Sequence, residues 1–321
     1  MKTLKIHNTL GNNLEEFKPI DPLNVRVYAC GPTVYNYAHI GNARMAVVND
    51  LLIRFLKTLY PKVTYVSNIT DIDDKIIAAS QENKISIKEL TEKYTKIYNE
   101  DMSVLGVNQP DIQPKATDYI KEMINLIEKL IENNFAYEKD GHVLFHVPSF
   151  KNYGMLSGRN RDEQITGSRV EVAPYKKDPT DFVLWKPSPS PLPGWESPWG
   201  LGRPGWHLEC SAMSEKTLGL PFDIHSGGAD LIFPHHENEI AQTCAAHKSN
   251  DNLKSFSKYW FHNGFVNVEG EKMSKSIGNI KLVHDLVKEY KGEVLRLTLL
   301  SAHYRQPLNW TRDIIKQNST M

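Results

Sequence analysis

The sequence predicts an α/β fold: a parallel sheet with helices between its strands, split by an insertion and followed by a mobile-loop and helical segment. Three observations carry this. Strand-like and helix-like stretches alternate through the N-terminal third of the chain. A stretch crowded with Pro, Gly and Trp, residues 186–204, breaks the alternation. Strand and helix then alternate again from Phe222.

The elements follow in order. Val25-Arg26-Val27-Tyr28-Ala29 is a short apolar β-type run, stopped by Cys30-Gly31-Pro32. Residues 42–59 place Val47, Val48, Leu51, Leu52, Phe55, Leu56 and Leu59 at spacings of three and four, which predicts an amphipathic helix that Pro61 ends. Val63-Thr64-Tyr65-Val66 is a second strand, closed by Asn68-Ile69-Thr70, and another helix starts near Asp71. A strand–helix–strand unit of this kind pairs its strands in parallel. Residues 116–134 form the most regular helix, with Ile120, Met123, Ile124, Ile127, Leu130 and Ile131 on one stripe. Residues 135–137 and 143–145 read as a hairpin around Asp140-Gly141. Residues 222–225 read as a strand, Glu237 onward as a helix, 265–270 as a hairpin and the region from about Leu282 as an amphipathic helix.

Composition narrows the function classes. The chain has 321 residues, with 38 Lys plus Arg balanced by 38 Asp plus Glu. A neutral chain is no general adhesive for polyanions, so a nucleic-acid partner must meet a local basic patch. The mean hydropathy of −0.44 and the lack of a long apolar run predict no membrane span. Residues 1–10 lack the apolar core of a signal peptide, so a cytoplasmic location is expected. Three cysteines, Cys30, Cys210 and Cys244, make no disulfide framework; a reducing compartment leaves them free, metal-bound or catalytic.

Three constellations carry chemistry. His39-Ile40-Gly41-Asn42 stands where a loop becomes a helix, and a helix N-terminus offers N–H groups and partial positive charge to an anion. Taken alone, the tetrapeptide also reads as a capped tight loop. Lys272-Met273-Ser274-Lys275-Ser276, flanked by Gly270 and Gly278, can gather polyphosphate oxygens and close over a transition state. It equally reads as a solvated charged turn. His235 and Glu239, four apart, share a helix face; with Cys30 and Cys210 they offer a donor set that suits zinc. The alternative is two buried free thiols and a surface His–Glu pair. Cys244 falls in the core, and His207 and His236 stand as supporting groups.

Together the motifs resemble the class I aminoacyl-tRNA synthetases, and closely the cysteinyl-tRNA synthetases. The resemblance runs through Tyr28-Ala29-Cys30-Gly31-Pro32-Thr33-Val34-Tyr35, His39-Ile40-Gly41-Asn42-Ala43-Arg44 and Asn68-Ile69-Thr70-Asp71-Ile72-Asp73-Asp74-Lys75-Ile76. It continues in Gly202-Arg203-Pro204-Gly205-Trp206-His207-Leu208-Glu209-Cys210, Asp223-Ile224-His225-Ser226-Gly227-Gly228-Ala229-Asp230 and Phe233-Pro234-His235-His236-Glu237-Asn238-Glu239, and ends at the Lys272–Ser276 block.

The resemblance implies a Rossmann-like catalytic domain with boundaries at 1–115 and 200–260, a connective insertion at 116–199, and a lysine loop with the start of a helical stem-contact region at 261–321. It implies that L-cysteine is activated with ATP and Mg2+ and passed to tRNA(Cys). His39, Gly41, Asn42, Asp230, Lys272 and Lys275 are then expected at the nucleotide, with His39 and Lys275 as catalytic groups. Cys30, Thr70 and Trp206 are expected at the amino-acid pocket. Cys30, Cys210, His235 and Glu239 are expected to hold one Zn2+, with Glu239 the looser ligand. A monomer is expected.

Two features depart from the family pattern. Asn42 stands where a histidine is usual, and the chain stops at Met321, before the helical bundle and anticodon-binding region that the family carries. Two other readings share most of these motifs: a ligase passing activated cysteine to an amino-sugar, and a synthetase-like binding protein without catalysis.

Overall fold

The structure, a computed structural model, describes residues 3–167, 173–274 and 276–320. Its centre is a four-stranded sheet in the order Ser257–Asn263, Phe222–Gly228, Val25–Ala29, Val63–Ser67, with every neighbour parallel. Val27 faces Tyr65 on one side and Ile224 on the other. The Val25–Ala29 strand is therefore where the chain reverses its direction of sheet growth. Ligands in open α/β sheets bind at the carboxyl ends of strands at such a switch point, and Cys30 and the loop to His39 leave from there.

Both faces of this sheet are covered, which is why its strands read as nearly continuous apolar runs. Val25, Val27 and Ala29 pack with Val48, Leu52, Ile53 and Leu56 of the helix Ile40–Leu59. Tyr28 and Cys30 point to the other face, into a core shared with the helices Leu208–Leu218, Glu237–Ala246 and Ile120–Glu132. The Ile40–Leu59 helix starts two residues before the predicted 42 and ends where expected. Of its predicted apolar face, Leu51, Phe55 and Leu59 are exposed. Two stripes satisfy the same three-and-four spacing, and only Val47, Val48, Leu52 and Leu56 meet the core.

Residues 116–119 are a 3-10 turn ahead of the Ile120–Glu132 helix, and the stripe Ile120, Met123, Ile127, Leu130 is buried together with Leu126. The predicted hairpin pairs Ala136–Lys139 with His142–Phe145, and both turn residues, Asp140 and Gly141, have positive φ, as a tight twisted hairpin turn requires. This hairpin opens an antiparallel sheet completed by Phe182–Pro187 and Gly202–Pro204. The sheet thus runs past residue 199, and the helix ahead of it packs on core helices Leu208–Leu218 and Glu237–Ala246. The insertion is grafted onto the core.

A second graft carries the lysine loop. Val266–Val268 pairs with Glu271–Lys272 around Glu269-Gly270 and lies parallel to Leu308–Trp310. Arg44, fully buried, ties it to the core: its guanidinium donates to the carbonyls of Gly264 (3.0 Å), Phe265 (2.8 Å) and His303 (3.2 Å). Among the described residues no helix is long and apolar enough to cross a membrane.

Candidate active site with a metal-ligand cluster

Two motif regions that are far apart in sequence converge at the carboxyl edge of the sheet. Cys30 follows the Val25–Ala29 strand, Cys210 stands on the first turn of Leu208–Leu218, and His235 and Glu239 straddle the start of Glu237–Ala246. All four are buried, and one donor atom from each lies within 4.8 Å of every other. The two sulfurs are 3.5 Å apart, Cys30 Sγ is 3.5 Å from Glu239 Oε1, and His235 Nε2 is 3.0 Å from the same oxygen. The sequence prediction for these four residues is thus a real cluster in space. Two thiols, an imidazole and a carboxylate crowded into an apolar interior are a donor set that fits one soft divalent cation, which would offset the charge of the thiolates once they ionise.

The four groups shift one another. Burial raises Glu239, but His225 and His235 outweigh it and hold the carboxyl at about 2. Burial lowers His235, and the Glu239 carboxylate with the Cys210 thiol lifts it to about 10. Cys30 is pushed well above the usual thiol range by burial, then by Cys210 and Glu239. Burial would raise Cys210 too, yet the Cys30 thiol and His235 bring it down to about 7.

Glu239, expected as the looser ligand, is anchored on one side by a histidine. His225 Nε2 donates to its Oε2 at 2.8 Å, so one carboxylate oxygen is tethered and only Oε1 faces the thiols. The supporting shell is larger than the sequence reading had it. His207 Nδ1 meets His235 Nδ1 at 3.0 Å, and His236 Nε2 meets Cys30 Sγ at 3.3 Å, as expected for supporting groups. Behind His236 stand two residues the sequence reading missed: His262 Nε2, 2.7 Å from His236 Nδ1, and Thr9, whose hydroxyl lies 2.7 Å from His262 Nδ1. Burial holds His236 and His262 far below the usual imidazole value, so both rings are neutral. With Cys30 as a thiolate, one arrangement satisfies every atom: Thr9 O–H to His262, His262 N–H to His236, His236 N–H to sulfur. The one available signal was at His262, in the apolar strand Ser257–Asn263, where a buried histidine needs a partner; Thr9 lies in a polar turn.

Trp206, two-fifths exposed, stacks on His235 with ring centroids 4.2 Å apart and 26° between planes. It roofs the cluster on the solvent side. Thr70 is buried and hydrogen-bonded to Glu209, a carboxyl that burial pushes well above its usual range. Asn68 accepts from Gly31 N–H (2.8 Å) and from the Cys210 thiol (3.6 Å). Gly31 must be glycine: a Cβ there would lie 1.6 Å from the Asn68 carbonyl oxygen.

The second part of the site is the N-terminus of Ile40–Leu59. His39 caps it, its Nδ1 accepting from Asn42 N–H at 3.3 Å, while Asn42 Oδ1 accepts from His39 N–H at 3.1 Å. This reciprocal capping box satisfies two helix-end donors. It also answers for Asn42: its amide oxygen faces the backbone, and only its NH2 group remains to offer an anion. Burial lowers His39, with the Asp230 carboxylate near enough to raise it partly. The ring is therefore neutral, Nδ1 is the acceptor and Nε2–H is free to donate. A Cβ at Gly41 would sit 3.0 Å from that ring. The segment after the lysine loop zips onto this terminus: Ile40 N–H donates to Lys281 O (3.0 Å) and Val283 N–H to Ala38 O (2.8 Å). Lys272 is exposed, and Asn279 bridges its carbonyl (3.3 Å) and Ser274 N–H (2.9 Å). Lys275 lies outside the described residues.

Residues 16–320 match the family model described as tRNA synthetases class I (C) catalytic domain. The chain belongs to the class I cysteinyl-tRNA synthetase family. It is 59% identical over 318 residues to the cysteine--tRNA ligase of Parvibaculum lavamentivorans, covering 99% of this chain and 67% of that protein. It is 58% identical over 315 residues to that of Rhodospirillum rubrum, covering 98% and 68%. The chain thus spans about two thirds of the length of these relatives. The fold of this synthetase chain is like that of Mycobacterium tuberculosis methionyl-tRNA synthetase in complex with methionyl-adenylate, with a TM-score of 0.69 at 15% identity over 92% of this chain and 67% of that one.

A metal entering the cluster must displace protons. Cys30 and His235 carry theirs at neutral pH, being raised, whereas Glu239 has already lost its own, being depressed. Metal affinity is therefore predicted to rise with pH between 6 and 8, with protons released on binding. Chelator competition at the two pH values checks this; affinity that is flat or falls contradicts it.

Proposed function

We propose that this chain is the cysteine-activating core of a cysteine--tRNA ligase. A carboxylate oxygen of L-cysteine attacks the α-phosphate of ATP, the α–β bridging bond breaks, and pyrophosphate leaves with the electron pair. A hydroxyl of the terminal ribose of tRNA(Cys) then takes the cysteinyl group, and AMP departs. The observation that carries this reading is the buried set Cys30, Cys210, His235 and Glu239, roofed by Trp206 at the sheet edge where the His39 helix begins. The high identity to cysteine--tRNA ligases over nearly the whole chain favours tRNA over an amino-sugar as acceptor.

Each residue then has a task. His39, neutral and with Nδ1 engaged, donates Nε2–H to a phosphate oxygen, and Gly41 lets that oxygen come close to the backbone. Asn42 assists through its NH2 group, and Asp230 sits beside His39 in the nucleotide site. Lys275, assigned from the sequence alone, supplies positive charge to the leaving pyrophosphate, with Lys272 nearby and Mg2+ on the phosphates. Thr70, oriented by Glu209, and Trp206 line the amino-acid pocket.

Selectivity is the hard part of the task. Serine differs from cysteine by one atom, and a shaped pocket rejects so small a change by only about 1–3 kcal/mol. A zinc ion held by the four donors would bond the substrate's sulfur directly and favour it over a hydroxyl. The chain's contribution is to hold that set rigid: His225 fixes Glu239 through one oxygen, the Thr9–His262–His236 relay donates toward Cys30, and His207 orients His235. A site that reads sulfur in this way needs no separate step to discard serine.

Exchange of labelled pyrophosphate into ATP tests the reading. Exchange is predicted with cysteine and not with serine; none with cysteine, in folded and metal-loaded protein, contradicts it. Lys275→Ala is predicted to slow that exchange by about 10²–10³, the scale for losing one preorganised charge contact. An unchanged rate would remove Lys275 from the mechanism.

A further inference from the structure

The turn that carries His39 is held from outside by residues far along the chain. Tyr37 stacks face to face on His284, with ring centroids 4.6 Å apart and 14° between planes, and meets Tyr94 edge-on (5.3 Å, 89°). His284 Nδ1 lies 3.2 Å from Asp101 Oδ1. Tyr94 and Asp101 both belong to the helix Ile87–Val104 and stand seven apart, so they share one face two turns along it. That face presents one residue to Tyr37 and one to His284. Asp101 is buried, and its Oδ2 has no hydrogen-bond partner among the described residues. A buried carboxylate bonded through one oxygen is costly to keep, and removing that one partner costs more. The His284 ring is therefore held firmly against the helix.

This lock closes one end of a short backbone bridge. Val283, next to His284, donates its N–H to Ala38 O (2.8 Å), and Ile40 N–H donates to Lys281 O (3.0 Å), which sets Leu282 opposite His39 in antiparallel register. The other end of the bridge is the first turn of the Ile40–Leu59 helix. His39 stands between the two ends, and its Nδ1 is tied to that turn by Asn42 N–H. Its ring therefore follows its backbone.

We propose that His284 is a positioning residue for the nucleotide: by stacking on Tyr37 and bonding Asp101, it holds residues 281–283 against residues 38–40 and so fixes the direction in which His39 Nε2–H points. The proposal rests on the assignment of His39 to the nucleotide. Its first measurement reads the backbone bridge with no ligand present, so the two can fail separately.

Two measurements on the full chain test it: amide hydrogen exchange by NMR in the ligand-free protein, and calorimetric binding of MgATP alone. In His284→Ala the Ile40 and Val283 amides are expected to exchange about tenfold faster, as a locally opened bridge would, while the Phe222–Gly228 amides keep their wild-type rates. MgATP binding is expected to weaken about tenfold, the scale of one mis-aimed hydrogen bond, with zinc content as in wild type. Tyr37→Leu removes the stack from the other side and is expected to do the same; if His284→Ala does not fold, it carries the test. Asp101→Asn keeps an oxygen for the His284 N–H and is expected to stay within about twofold of wild type in both measurements.

Unchanged exchange at Ile40 and Val283 overturns the proposal. So does equally faster exchange at Phe222–Gly228, which would make the effect a general loosening of the fold. Faster exchange at the bridge with unchanged MgATP binding overturns it as well, and His39→Ala then says what has failed. Weaker MgATP binding in His39→Ala leaves the nucleotide reading standing and removes His284 alone, whereas unchanged binding removes both.

Discussion

The parallel pairing of Val25–Ala29 with Phe222–Gly228 is the constraint on which the site depends. Three residue pairs in register, Val27 with Ile224, Tyr28 with His225 and Ala29 with Ser226, join segments that most of the chain separates. Because side chains alternate across a strand, a slip of one residue would turn Tyr28 and Cys30 to the wrong face and take Cys30 away from Cys210 and Glu239. The same register sets His225 under Glu239. Between the two strands, the Leu208–Leu218 helix must also keep its place, because it carries Cys210 into the cluster.

The cluster in turn places opposite demands on burial. Cys30, Cys210, His235, Glu239 and three supporting histidines, His225, His236 and His262, are buried, with His207 half-buried beside them, and buried polar groups are costly without a partner. The protein meets this with neutral rings in series and with a carboxylate shared between His225 and His235. In the proposed function, specificity for sulfur would follow from the donor set and from its rigidity, whereas phosphate contacts would come from a separate device, the capped helix terminus at His39. The two devices meet because the first helix springs from the strand that ends in Cys30.

Much of this was legible in the sequence. The strand–helix alternation and the Asp140-Gly141 turn are local patterns that stand in space as read, and Cys30, Cys210, His235 and Glu239, drawn from family motifs, lie together. Other features depended on tertiary context. Leu51, Phe55 and Leu59 obey helical spacing as well as Leu52 and Leu56 do, and only the position of the sheet decides which stripe is buried. Asn42 reads as a substituted phosphate contact; its capping bond with His39 needs backbone geometry to be seen. Glu239 reads as the weakest ligand by type, but His225, hidden in an apolar strand, makes it firmly held. His262 was silent because it lies in a strand whose pattern speaks of core alone, and Thr9 because it lies in an ordinary polar turn.

The central claim is that the buried cluster reads sulfur. X-ray absorption at the zinc edge, on loaded protein with and without substrate, tests it most directly. The account predicts two sulfur neighbours in the free enzyme and a third when cysteine is added, at about 2.3 Å, with no change when serine is added. A sulfur count that stays at two in saturating cysteine would contradict it.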